Sequence, residues 1–331
     1  MRLFADEGLG ADVSTLGELR FAQHAGVPSE QLVVHGNNKS DEELAAAVDA
    51  RATYVVLDSV EELERAHAAG IERMLVRITP GIEADTHESI RTGQVGSKFG
   101  VSPDEAASLA SQVDGLHVHV GSQLLALKAA SETVAWLNRF VAQTGWEPRV
   151  VDLGGGLGVP TQPGETAPSI SEFVKTLLGT LEVPAHVILE PGRSLVGQAG
   201  VTLYRIGAVK RSGDVTWVAV DGGVSDNPRP QLYGARYTAV VATRVEAAPT
   251  AAYSIAGKHC ESGDVLIDRV ELPAPARGDL LAVPATGAYT LAMASNYNGV
   301  PRPAAVLVAD GHARLIRGRE TVDDLLRAEH R

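Results

Sequence analysis

At 331 residues the chain has room for one large domain and a smaller one, and with 44% hydrophobic and 21% charged residues it has the composition of a folded globular protein, not a disordered one. A formal net charge of −12 sets the field of the molecule against a phosphate backbone, which excludes nucleic acid as a partner. The single cysteine allows no internal disulfide and fits a cytoplasmic setting; no apolar run is long enough to cross a bilayer, so no membrane partner is expected.

Residues 1–8 read as part of an amphipathic helix and lack the apolar stretch of a signal peptide. From there to about Gly192, short apolar runs alternate with helical stretches. Strands are predicted over 11–13, 32–35, 54–57, 74–78, 116–120, 150–153 and 187–189. The helices between them carry start signals: Ser40 with Glu43, Ser59 with Glu62 and Ser102 with Glu105 each fit a capping box, Pro103 suits a first helical position, and Gly70 suits a helix end. Alternation of this kind implies parallel βαβ units, and strands that are apolar throughout imply burial on both faces.

Seven such units are one fewer than close a (β/α)8 barrel. An open doubly wound sheet satisfies the strand count equally well. The polar residues favour the barrel: Asp12, Ser14, His35, Asn37, Asp58, Arg77, His119, the glycine run and Glu190 all fall at or just past strand C-termini, which in a barrel share one mouth. The expectation is therefore a barrel-type domain over 1–196, lacking its first strand. After Val196, short alternating runs at 216–220, 237–241 and 304–308, with frequent Gly and Pro, predict a largely β domain over 197–331, closed by a short helix near 320–327.

Gly154-Gly155-Gly156-Leu157-Gly158 follows a buried strand and would let backbone N–H groups approach a phosphate. With one strand missing, this loop follows the seventh barrel strand and Glu190-Pro191-Gly192-Arg193 follows the eighth, the pair of loops where barrels frequently hold phosphate. Arg193 adds a fork-shaped donor for phosphate or carboxylate. Glu190 ends an apolar run and needs a cationic partner; Arg193 and Arg77 are candidates, and so is a protonated pyridine nitrogen. His117 and His119, two apart on a strand, point to one side, which suits metal ligation or stacking of His119 on an aromatic ring, but no third ligand with clear spacing appears, so no metal is expected. Gly121 and Ser122 follow as further phosphate donors. In the second half, Cys260 lies between His259 and Glu261; a lone cysteine is commonly a small buried apolar residue, and these neighbours favour a site. Arg229 and Tyr233 could clamp a carboxylate, and Tyr289 could bond a phosphate or pack.

In order along the chain, Gly10-Ala11-Asp12-Val13-Ser14, His35-Gly36-Asn37-Asn38-Lys39, Lys98-Phe99-Gly100, His119-Val120-Gly121-Ser122-Gln123, the glycine loop, Glu190 to Arg193, Arg229 to Tyr233, Cys260 to Asp264 and Gly287 to Tyr289 resemble the fold-type III pyridoxal phosphate decarboxylases, and within them the diaminopimelate decarboxylase family. The likeness spans essentially the whole chain. It implies an alanine-racemase-like barrel followed by a C-terminal β-sandwich domain, pyridoxal 5'-phosphate as cofactor, and a homodimer whose sites are completed across the interface. It further implies that His119 stacks on the pyridoxal ring, that Glu190 pairs with the ring nitrogen, and that Ser122, Gly154, Gly155, Gly156, Gly192, Arg193 and Tyr289 surround the phosphate. Arg193, Arg229, Tyr233, Glu261 and Tyr289 would contact substrate, and Cys260 would be the proton donor. The implied reaction, in lysine biosynthesis, is loss of CO2 from meso-2,6-diaminopimelate to give L-lysine. The alternatives are a decarboxylase for another basic amino acid such as ornithine or arginine, or a non-catalytic partner. The family carries its Schiff-base lysine in a Tyr-Ala-x-Lys-Ala motif ahead of the Asp12 segment, and none of Lys39, Lys98, Lys128, Lys175, Lys210 and Lys258 stands in that context. The expectation is an N-terminally truncated chain, inactive by itself.

Overall fold

The computed structural model describes residues 1–82 and 96–330, which divide into two compact units. The first comprises Met1–Gly158 and Pro168–Pro191. Its seven strands are β1 (Ala11–Val13), β2 (Leu32–Val34), β3 (Tyr54–Leu57), β4 (Met74–Arg77), β5 (Gly115–His117), β6 (Val150–Asp152) and β7 (His186–Ile188), all parallel and hydrogen-bonded in sequence order. α1 (Arg2–Asp6) precedes them, and between them run α2 (Leu16–Ala25), α3 (Asp41–Asp49), α4 (Glu62–Ala69), α5 (Pro103–Leu109), α6 (Lys128–Thr144) and α7 (Ile170–Gly179). All seven expected strands form. The predicted runs 32–35, 74–78, 116–120, 150–153 and 187–189 extend past the C-terminal ends of the observed strands by one to three residues.

Alternation along the strands gives the sheet two apolar faces. Val34, Val55, Leu57, Met74, Val76, Leu116 and Val151 pack with helix residues such as Leu19, Leu44, Ala66, Leu137 and Phe173. Val33, Tyr54, Val56, Leu75 and Val150 form a separate cluster on the other face, with Ile188 against it.

Ser40 and Ser102 cap α3 and α5 in complete capping boxes, Pro103 opens α5, and Gly70 ends α4 in the left-handed region. The box expected from Ser59 and Glu62 does not form: Glu61 occupies the N-cap of α4 without a side-chain cap. Glu62 instead turns inward, where its carboxylate accepts the Asp58 N–H at 2.9 Å and pairs with buried Lys39 at 3.0 Å. A buried ammonium demands that charge more than a helix end does.

The second unit comprises Val159–Ala167 and Gly192–Arg331. After α8 (Arg193–Val196) come β8 (Val201–Ser212), β9 (Val215–Val220), α9 (Arg229–Tyr233), β10 (Val240–Val241), β11 (Ala251–Ala256), β12 (Val265–Leu272) and β13 (Leu280–Pro284). These six strands form one mixed sheet in the order β10-β13-β8-β9-β11-β12, in which only β9 and β11 pair in parallel. The strand expected over 237–241 shrinks to two residues, since Tyr237 is turned into the core and its hydroxyl accepts from Arg229. A hairpin of β14 (Ala305–Ala309) and β15 (His312–Arg317) and the short α10 (Val322–Leu326) follow. Among the described residues no helix is long and apolar enough to cross a membrane.

Candidate active site

In the first unit every strand ends in a polar side chain on the face turned away from the helices. Counting by twos from the second apolar cluster, Val33 leads to His35, Val56 to Asp58, Leu75 to Arg77, Val150 to Asp152 and Ile188 to Glu190, and Asp12 and His117 hold the corresponding positions on β1 and β5. One face of a parallel sheet thus carries its charge at the C-terminal edge alone, where such sheets place their chemistry.

Glu190 is the hub of this edge. Its side chain is 11% exposed, with one carboxylate oxygen 2.6 Å from His35 Nε2 and the other 3.3 Å from His117 Nε2. Of the partners left open by the sequence, Arg77 lies 4.0 Å from Asp58 and over the Phe99 ring. Burial opposes ionisation of Glu190, and the imidazoles of His117 and His35 outweigh it, holding the carboxyl well below its ordinary range. Burial pushes His117 down to about 3 and His119 down to about 4, so both rings are neutral at pH 7. The opposite holds for the other acids: burial, then the charge of Glu190, raises Asp12 to about 6 and lifts Asp152 well above the ordinary value.

His35 and His117 meet edge to face at 4.9 Å between centroids, and His117 and His119 are parallel at 6.5 Å. His35, His117, Asp152 and Glu190 gather around one point, each with a nitrogen or oxygen within 4.8 Å of those of the others, and this polar cluster can accept from a protonated ring nitrogen.

The glycine run packs against this cluster. Gly154 has φ +62°, and a Cβ there would lie 2.7 Å from His119 Nδ1; a Cβ on Gly155 would drive into the Glu190 carbonyl. Gly155 N–H donates to His119 Nδ1 at 3.2 Å, and Gly154 N–H to Asp152 Oδ1 at 2.8 Å. The backbone of the Gly121–Ser122 loop closes on Gly156 from the other side. His119, the glycine loop, Ser122 and Glu190 are therefore brought together. Pyridoxal phosphate fits these residues: close backbone for its phosphate, a flat neutral imidazole for its ring, and an anionic carboxylate for its nitrogen.

The remaining candidates belong to the second unit. Arg193 opens α8, buried, with its guanidinium 4.7 Å over the Tyr289 ring, and burial followed by the charge of Arg229 lowers it to about 10. Arg229 is also buried; Tyr233 and Tyr237 lie in the same electrostatic neighbourhood, and Gly192 faces the Tyr289 hydroxyl. Two neighbouring buried guanidiniums beside phenols make an anion-seeking group. Cys260 and Glu261 are exposed on the loop from β11 to β12, so Cys260 is not a packed apolar residue. That loop is braced by buried His259, whose Nδ1 is 2.7 Å from Asp264, and by Asn298, which accepts the Cys260 N–H at 3.0 Å.

Sequence reasoning missed Asp152, although an aspartate inside the apolar run 150–153 was its signal, and it missed the tie of His35 to Glu190. Of the six lysines only Lys39 is buried, and its amine is engaged by Glu62 and by the carbonyls of Gly36 and Val56.

A model of the pyridoxal-dependent decarboxylase family, covering its pyridoxal binding domain, matches residues 1–197. The chain is 44% identical to the diaminopimelate decarboxylase of Actinosynnema pretiosum subsp. auranticum, over 99% of this chain and 79% of that protein. With the Bacillus subtilis enzyme of the same name it shares 40% identity over 99% of this chain and 81% of that one. The crystal structure of diaminopimelate decarboxylase from Helicobacter pylori complexed with L-lysine superposes with a TM-score of 0.90 at 31% identity, covering 98% of this chain and 85% of the other. The enzyme from M. jannaschii in complex with L-lysine gives 0.90 at 33%, covering 99% and 81%.

Proposed function

The chain belongs to the diaminopimelate decarboxylase family of pyridoxal-dependent decarboxylases, and from that premise we propose the work of its individual residues. The family reaction is the decarboxylation of meso-2,6-diaminopimelate to L-lysine and CO2 with pyridoxal phosphate. When bound, the cofactor supplies the sink for the electron pair left behind by CO2. In a domain spanning 1–196, Gly154, Gly155, Gly156, Ser122, Gly192 and Arg193 hold its phosphate, with Tyr289 from the domain spanning 197–331; His119 lies against its ring, and Glu190 keeps its nitrogen protonated. Arg193, Arg229, Tyr233 and Tyr289 orient the substrate carboxylates. Glu261 reads the distal amine, and Cys260 holds at Sγ the proton delivered to the α-carbon. Cys260 and Glu261, in the domain spanning 197–331, act in the partner's site of a homodimer.

The observation that carries this reading is Glu190, a carboxylate held anionic between two imidazoles beside a glycine loop into which no Cβ fits. One observation favours a second reading, a non-catalytic partner of the same fold: the amine of the one buried lysine is already committed. The test has two parts. Calorimetric titration of the chain with pyridoxal phosphate is expected to saturate one site per chain, and loss of that binding in Glu190→Ala is expected; unchanged binding would refute the assignment. Specificity is read as CO2 release from meso-diaminopimelate, ornithine and arginine by a chimera in which the lysine-bearing strand of a relative is joined ahead of Met1. Release from ornithine or arginine in preference to diaminopimelate would refute the substrate, and no release at all would favour the second reading.

A further inference from the structure

We propose that Asp152 is a positioning residue: a carboxylic acid that keeps its proton and, through its two oxygens, fixes Glu190 and the glycine loop in one mutual geometry. The inference rests on the assignment of Glu190 as the partner of the ring nitrogen. Asp152 is fully buried at the end of β6. Oδ1 accepts the Gly154 N–H at 2.8 Å. Oδ2 is buried with no donor facing it, and carboxylate oxygens of Asp152 and Glu190 lie within 4.8 Å of each other. As an anion, Asp152 would leave one oxygen unsatisfied beside a second carboxylate. As an acid, its O–H becomes the donor that Glu190 can accept, and both oxygens are used.

The charges around it agree. Glu190 from the end of β7 and Asp12 from β1 face it as acids; His35, His117 and His119 face the same space from the ends of β2 and β5. Arg77 from β4 contributes a positive charge, with Asp58 from β3 as its nearer carboxylate. Burial and Glu190 together favour the neutral form of Asp152, while Glu190 takes the imidazole contacts. One neutral side chain thereby links the backbone expected to hold a phosphate to the carboxylate expected to hold a ring nitrogen.

The test compares the 331-residue chain with Asp152→Asn, whose amide reproduces the acceptor and the donor of a neutral acid, and with Asp152→Ala. With aspartate labelled at the carboxyl carbon, the infrared difference spectrum of the parent at pH 7 is expected to show a protonated carboxylic acid that is missing from both variants. Because a folded-state pKa above the unfolded value makes the folded form lose stability as pH rises past about 3.8, the melting temperature of Asp152→Asn is expected to gain on that of the parent between pH 4 and 7. Pyridoxal phosphate should bind Asp152→Asn within about threefold of the parent and Asp152→Ala at least tenfold more weakly. Absence of the acid band, or binding by the asparagine variant as weak as by the alanine variant, would overturn the proposal. Should Asp152→Asn not fold, the band in the parent decides alone. If the parent shows the band yet Glu190→Ala binds pyridoxal phosphate normally, it is the assignment of Glu190 that fails.

Discussion

Replacing Lys39 by methionine probes the buried ion pair behind the site. The Lys39 side chain is 1% exposed and that of Glu62 6%, with Nζ 3.0 Å from Glu62 Oε2 and 2.7 Å from each of the Gly36 and Val56 carbonyls. Methionine fills much of the space but leaves the Glu62 carboxylate without a cation and two carbonyls without a donor. Removing one partner of a buried pair costs about 3–5 kcal/mol, a large part of the roughly 5–15 kcal/mol by which domains are stable. Glu62→Gln should cost less, about 1–3 kcal/mol, because Lys39 keeps both carbonyls and the amide oxygen can still accept the Asp58 N–H. Urea titration in a Trp217→Phe background follows the first unit through Trp136 and Trp146. A cost for Lys39→Met below about 1 kcal/mol, or a larger cost for Glu62→Gln, would refute the reasoning.

Gly155→Ala should displace the glycine loop, since the new Cβ meets the Glu190 carbonyl; overpacking of this kind costs about 1–3 kcal/mol, and pyridoxal phosphate affinity should fall at least tenfold in a calorimetric titration. An unchanged affinity would show that the loop does not cradle the phosphate. His117, lowered to about 3 by burial, takes up its proton in the unfolded chain near pH 6.5 but not in the folded one, so its contribution is lost as pH falls below about 6.5. His117→Gln should therefore flatten the fall of melting temperature on acidification, and an unaltered slope would mean that His117 is charged in the folded state. Borohydride treatment of the 331-residue chain with pyridoxal phosphate should trap no lysine adduct, and turnover by this chain should be negligible. A trapped adduct mapping to one of the six lysines would contradict this.

The seven parallel strands, two of the three expected capping boxes and the glycine loop were legible in the sequence because each is written locally: an apolar run, a Ser–Glu spacing, three adjacent glycines. The same periodicity puts Asp12, His35, Asp58, Arg77 and Glu190 at strand ends. What local pattern cannot express is which of these groups face one another. Ser59 and Glu62 have the spacing of a cap, yet Glu62 answers to Lys39. Glu190 shows by its place in an apolar run that it needs a partner but not that His35 and His117 supply it, and Asp152 is hidden in a strand whose neighbours are all apolar. Charge state follows from the dielectric and the counter-charges around a group, and for residues drawn from different strands only the folded sheet assembles those surroundings.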